Sequence, residues 1–386
     1  MKPSNQAPRH PQLNAAAHHS SLTPAHEAPA AGSARSGRPH LPYLDGWRGI
    51  AIICVLIGHF SRFGHMGDIG VTIFFVLSGI LMSNILFVEQ MPLRLFYRRR
   101  LARIVPVFWL YIATAFAAGY LALKQFSVEE FVSSALFMRT YFPNSDIFRA
   151  AIPIHHLWSL NVEEHSYLFL SLLSLPALRW GERPARLVLS VSSVLCLFAF
   201  AYYKYHPPAS QSPFYLRTEA AAFPLISSCA LFLWLRRLPV EVPKFVPVLT
   251  FLAAFAVAAS SNSVFFGFVT VSLLLAISVN TLHVAPAAVL DMLSARTLRW
   301  FGVCSYSIYL WQQPFFFMRR YFSWEYSNLA GCLAALIVAS ASYYLFESPL
   351  RKRLGYGVLR ERKSALSAMT QNASVKPPHA LPEKIT

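Results

Sequence analysis

The sequence predicts an all-α fold, a polytopic membrane helix bundle of about ten transmembrane helices. Three observations carry this. The 386 residues are 55% hydrophobic and 15% aromatic but only 13% charged, about half the charge of an ordinary soluble domain. Apolar runs recur at a length that approaches the roughly 20 residues a helix needs to cross a bilayer. The charge is lopsided, with 34 Lys and Arg against 17 Asp and Glu for a net of +17, and it gathers in alternate connecting segments. Such a composition excludes a disordered chain, and the length excludes a small disulfide-stapled domain. A nucleic-acid binder would carry its basic residues on a far more polar surface. Cys54, Cys196, Cys229, Cys304 and Cys332 each stand alone in an apolar stretch. That is the pattern of small buried hydrophobes rather than of a zinc or redox pair.

The apolar runs fall at about 47–62, 69–88, 104–123, 165–178, 187–203, 219–235, 245–260, 264–282, 301–318 and 328–346. Pro176, Pro224 and Pro314 lie inside three of them, which neighbouring helices can accommodate. Residues 1–40, rich in Ala, Pro, His and Ser, are expected to be a disordered tail, because no basic start leads at once into an apolar core as in a secretory signal. Residues 41–350 form the expected membrane domain, and 351–386 a basic, largely disordered tail. With the N-terminus in the cytoplasm, the inside segments hold 26 of the 34 basic residues and the outside loops 8. Both ends are therefore expected on the cytoplasmic side of the inner (plasma) membrane. The internal loops alone, at 13 against 8, point the same way.

Polar groups inside such runs are costly and point to function. His59 is the clearest, near the outer end of the first run, beside Gly58, which permits close approach of a backbone or a substrate. Arg48 lies eleven residues earlier on the same helix, about 16 Å away along the axis. The two cannot touch, yet they could frame a path from a cationic entrance to a titratable group deep in the membrane. In the second run, Gly70, Ser78 and Gly79 suit tight helix packing. Arg94, Arg98, Arg99, Arg100 and Arg103 then crowd the next inside loop. If that loop is helical, Arg100 and Arg103 share a face, as do Arg99 and Arg103. Such a cluster could hold a polyanion's phosphates, or serve only the inside-positive rule and anionic lipid.

The segment 155–167 brings His155, His156 and His165 together with Glu163 and Glu164 just ahead of an apolar run. The glutamates could cap that helix or orient an imidazole as a base. The spacing is not that of an HExxH metal site, and no metal is expected. Tyr306, Tyr309, Trp311, Gln312 and Gln313 supply donors for a polar cavity within the ninth run, and Glu347 stands one helical turn from Arg351.

In this order these blocks resemble the acyltransferase-3 family of integral membrane O-acyltransferases. The resemblance lies in the Arg48-x10-His59 pattern after Leu44-Asp45-Gly46-Trp47, in Gly70-Val71 with 74–79, in Arg100-x-x-Arg103-Ile104-x-Pro106, in Trp158-Ser159-Leu160 with Glu163-Glu164, and in 305–314. It implies transfer of an acyl group, commonly acetyl, from acetyl-CoA or another acyl-CoA to a hydroxyl of a surface or lipid-linked carbohydrate such as lipopolysaccharide or exopolysaccharide. It also implies His59 as the catalytic residue with Arg48 as its motif partner, Arg100 and Arg103 near the donor, and Glu163 or Glu164 in the active centre. Two positions depart from the family pattern. Asn161 and His165 stand where many members have Ser and Gln, and Gln312 where many have His. The sequence ends 36 residues past residue 350, where the last span closes, the expectation being a short form without a hydrolase-like C-terminal domain. A rival expectation is a proton-coupled transporter or flippase for a glycolipid or polysaccharide precursor, with His59 and the glutamates as relay groups.

Overall fold

A computed structural model describes residues 41–208, 212–318 and 327–353. The expected tails, 1–40 and nearly all of 351–386, lie outside the described residues. Every element among the described residues is helical: α1 (Pro42–Phe60), α2 (His65–Ser83), α3 (Leu93–Leu123), α4 (Val128–Ala135), α5 (Leu157–Trp180), α6 (Glu182–Tyr205), α7 (Thr218–Ala221), α8 (Phe223–Leu235), α9 (Val246–Ser260), α10 (Val264–Thr281), α11 (Ala287–Leu293), α12 (Arg296–Met318) and α13 (Ser327–Ala341), with short 3-10 and π segments between or after them.

A helix lies over each of the ten predicted runs, but six have both the length and the apolar composition to cross a membrane. These are Pro42–Phe60, His65–Val88, Leu93–Leu123, Glu182–Tyr205, Val264–Val284 and Asn328–Arg353. The apolar helices α8 and α9 have 13 and 15 residues, about 20 and 22 Å at helical rise, short of the roughly 30 Å hydrocarbon core. α5 and α12 have the length, with 24 and 23 residues, but carry too many polar groups.

Several helices start well before the apolar run that announces them. α3 begins eleven residues early, so the arginine-rich stretch is not a loop but the first turns of a 31-residue helix. α5 begins eight residues early, which puts Glu163 and Glu164 in its second turn rather than at its cap. The physical reason is common to both. Arg100 of α3 and Glu163 and Glu164 of α5 find partners inside the bundle, so each helix continues through residues that hydropathy alone would place in water.

α1 packs against α12 and α2, α2 against α8, α9 against α10, and α12 against α13. A buried core joins α1, α3 and α12 through Ile52, Val55, Phe108, Ile112, Ile308 and Leu310. By contrast Leu187, Val191, Val194, Leu195 and Phe198 leave an apolar face of α6 exposed, as a lipid-facing helix would.

The α1–α12 contact is backbone to backbone. A Cβ built on Gly49 would lie 2.1 Å from the carbonyl oxygen of Leu298, and one on Gly302 would lie 1.8 Å from that of Asp45. Gly58 likewise meets the backbone of Gly67 on α2, with 2.2 Å left for a Cβ, so its close approach is to a helix and not to substrate. Replacement of Gly302 by Val is expected to destabilise the protein by about 3 kcal/mol or more through overpacking. Thermal unfolding in detergent would show this, and an unchanged melting temperature would contradict the packing.

Candidate active site

α1 reaches two polar clusters inside the bundle. The first surrounds a cavity of about 120 Å³ lined by Arg48, Ser78, Arg100, Arg103, Glu163 and Tyr309 among others. Arg100 and Arg103, three residues apart on α3, present one face of that helix to it. The other arginines of the cluster point elsewhere: Arg94 and Arg98 line a separate groove with Arg353, and Arg99 is near Met91.

Arg100 is fixed by α5. It donates from Nη2 to Glu164 Oε1 at 2.7 Å and from Nε to Oε2 at 3.1 Å, a bidentate, charge-assisted pair. Its guanidinium carbon lies 3.4 Å from the centre of the Tyr167 ring, and Glu163 Oε1 is 3.9 Å from Nη2. Glu163 in turn accepts from Ser78 Oγ at 2.9 Å and from the Tyr167 hydroxyl. Ser78, expected to serve packing alone, thus helps to hold a carboxylate at the cavity wall.

Arg103 differs. No carboxylate lies within ion-pairing distance of it among the described residues, and its charged neighbours include Arg48, Arg351 and Arg100. Glu347 is also near, but it accepts from Ser307 at 2.6 Å and meets Arg351 at 3.5 Å. The expected local Glu347–Arg351 pair is present, and the shorter bond ties Glu347 across to α12. The cavity wall thus carries three arginines, one of them without a carboxylate within ion-pairing distance among the described residues.

The second cluster centres on His59, which does not line that cavity. Its Nδ1 lies 2.7 Å from Gln312 Oε1, and its ring stacks on Phe316 at 4.4 Å. Gln312 Nε2 donates to the carbonyl of Tyr309 and to Gln313 Oε1, each at 3.3 Å. This fixes the amide so that its oxygen faces the imidazole. Neutral His59 therefore carries its proton on Nδ1 and holds the lone pair on Nε2, the arrangement of a base oriented by an acceptor behind it. The departure from the family pattern at Gln312 is thus a contact with the expected catalytic residue.

The predicted site residues accordingly divide. Arg48, Arg100, Arg103 and Glu163 come together at the cavity, with Glu164 one bond behind Arg100, and His59 belongs to the second cluster. The glutamates hold an arginine, not an imidazole. Of the other histidines, His155 meets the Ala150 carbonyl at 3.4 Å and His165 meets Thr218 Oγ1 at 2.8 Å. Among the described residues, no three His, Cys, Asp or Glu side chains converge as metal ligands.

Residues 41–347 match the acyltransferase domain family. The chain belongs to the acyltransferase-3 family. Among curated acyltransferase-3 relatives, it is 29% identical over 354 residues to the peptidoglycan O-acetyltransferase OatA of Listeria monocytogenes, covering 82% of this chain and 57% of that protein. It is 28% identical over 352 residues to the putative peptidoglycan O-acetyltransferase YrhL of Bacillus subtilis, covering 81% and 55%. With the O-acetyltransferase OatA of Staphylococcus aureus strain MRSA252 the identity is 26% over 362 residues, covering 84% and 60%. The chain therefore spans little more than half the length of these relatives. No solved structure matches it.

Removing one partner of the Arg100–Glu164 pair should strand a largely buried charge. Glu164→Ala is expected to cost about 3 kcal/mol, and the Arg100→Ala/Glu164→Ala double variant should lose clearly less than the sum of the two singles. Denaturant unfolding would measure both, and additive losses would deny the pair.

Proposed function

We propose that this acyltransferase-3 protein moves an acyl group, acetyl in the first instance, from acyl-CoA to a hydroxyl of a cell-surface or lipid-linked carbohydrate. Peptidoglycan, named for the relatives, is the first acceptor to try. The observation that carries this reading is the cavity that gathers Arg48, Arg100 and Arg103 while Arg103 has no carboxylate within ion-pairing distance among the described residues. Coenzyme A is polyanionic and cannot enter lipid, whereas its long, thin acyl-bearing arm suits a narrow cavity. The inside-positive distribution puts the arginine end of α1 on the cytoplasmic face, where acyl-CoA is available, and both chain ends on that face of the plasma membrane.

His59 is the base in this reading. Its Nε2 lone pair takes the proton of the acceptor hydroxyl as the oxygen bonds to the thioester carbonyl carbon. The carbon–sulfur bond breaks, and the sulfur leaves as a thiol with that proton. Gln312 holds the ring throughout. Glu163 and Glu164 act one step back by fixing Arg100 at the cavity wall. A proton relay through His59 and the glutamates, as in a transporter, gains no support from contacts that tie the glutamates to Arg100 and His59 to Gln312.

Acetylated carbohydrate, measured by mass spectrometry at equal protein level, is expected to fall at least about a hundredfold for His59→Ala. In a purified assay Arg103→Ala should raise KM for acetyl-CoA about tenfold to a hundredfold, the value of one charged hydrogen bond. Full product from His59→Ala, or an unchanged KM with Arg103→Ala, would overturn the reading.

A further inference from the structure

One buried group beside His59 has no task in the reading above. His156, immediately before α5, is 4% exposed, and neither ring nitrogen has a hydrogen-bond partner among the described residues. Its ring is packed on two sides, against Tyr111 of α3 at 5.2 Å and Tyr309 of α12 at 5.3 Å. Its own carbonyl accepts from the Tyr309 hydroxyl at 3.0 Å and from Ser159 Oγ at 3.2 Å, which pins the residue in place. His156 also lies close enough to His59 for the two rings to interact electrostatically. Tyr309 and Ser159 both line the arginine cavity, so His156 stands directly behind that wall, and Tyr309, whose ring packs on His156, is tied through its carbonyl to the Gln312 that holds His59.

A buried imidazole with no partner is costly to keep. Phe would fill the same aromatic slot without the cost. A second buried donor, the Trp311 indole N–H, also lacks a partner among the described residues and packs on the same Tyr111 ring at 5.5 Å. Two buried donors on one ring, without partners among the described residues, are groups that an oxygen arriving with the substrate would satisfy.

We propose that His156 is a catalytic residue whose ring N–H donates to the acyl carbonyl oxygen as that oxygen gains charge. This rests on the acyl-transfer reading. When the acceptor oxygen bonds to the carbonyl carbon and its proton passes to His59, the electron pair of the C=O bond moves onto the carbonyl oxygen. His156 stabilises that oxyanion with a donor fixed beforehand. The pair returns as the carbon–sulfur bond breaks and sulfur leaves with the proton from His59. His156 keeps its own proton throughout.

The test uses the full chain in lipid nanodiscs with acetyl-CoA and a short N-acetylglucosamine oligosaccharide, with free coenzyme A thiol as the readout. His156→Phe should lower kcat about a hundredfold or more with KM for acetyl-CoA within about threefold, while its melting temperature stays level or rises. His156→Gln, which restores one N–H, should recover about tenfold over the Phe variant. Wild-type kcat from His156→Phe would overturn the proposal and leave acyl transfer standing. A loss accompanied by a lower melting temperature and not relieved by Gln would assign His156 a structural role, and so overturn it too. A wild-type protein that releases no thiol would overturn the acyl-transfer reading itself, and this proposal with it.

Discussion

Helices α1 and α12 approach until Gly49 faces the Leu298 carbonyl and Gly302 faces that of Asp45, with no room for a Cβ at either place. The functional groups depend on that contact. α1 carries Arg48 at one end and His59 at the other, and α12 carries Tyr309 and Gln312 opposite them. Without a hydrophobic drive between helices in lipid, small residues that let backbones meet are the main source of such precision. The separation of Arg48 from His59 is then fixed by helix rise, and the His59–Gln312 bond by the register of the two helices.

Around this pair the other helices supply charge in matched and unmatched form. α5 meets Arg100 of α3 with Glu164 through two hydrogen bonds, and among the described residues no carboxylate pairs with Arg103. The difference between neighbours three residues apart is what distinguishes a structural ion pair from a binding group. A buried pair contributes little net stability, but it holds α3 so that Arg103 faces the cavity. Between that cavity and His59 stands Tyr309, which lines the cavity, packs on the His156 ring and accepts at its carbonyl from Gln312.

The helical class and the places of the longer helices were legible in the apolar runs, whereas the short α4 and α11 fall in no run because neither is long or apolar enough to make one. Helix starts were not. Arg94 to Arg103, and Glu163 with Glu164, read as loop or cap residues because hydropathy counts each charge as though it faced water. Only the fold reveals that Arg100 and Glu164 meet. The candidate site was half legible. Arg48, His59, Arg100 and Arg103 stood out as charges within or beside apolar runs, and Arg100 and Arg103 were correctly set on one face. Gln312 registered as a departure from a pattern, and its bond to a residue 253 positions away is a tertiary fact. Ser78 and His156 carried no sequence signal beyond their type, since a serine in a membrane helix is ordinarily a packing residue and a histidine beside another is ambiguous.

The central claim is that acyl-CoA enters at the arginine cavity and extends toward His59. Photoreactive acyl-CoA analogues test it most directly, one with the label on the adenine and one with the label on the acyl chain. Each would be cross-linked to the protein in nanodiscs, and the labelled peptides identified by mass spectrometry. The account predicts that the adenine label marks the 94–103 stretch of α3, and that the acyl label marks the segment of α12 around Tyr309 and Gln312 or the end of α1 at His59. Labels from both probes on the same peptide, or on the exposed face of α6, would contradict it.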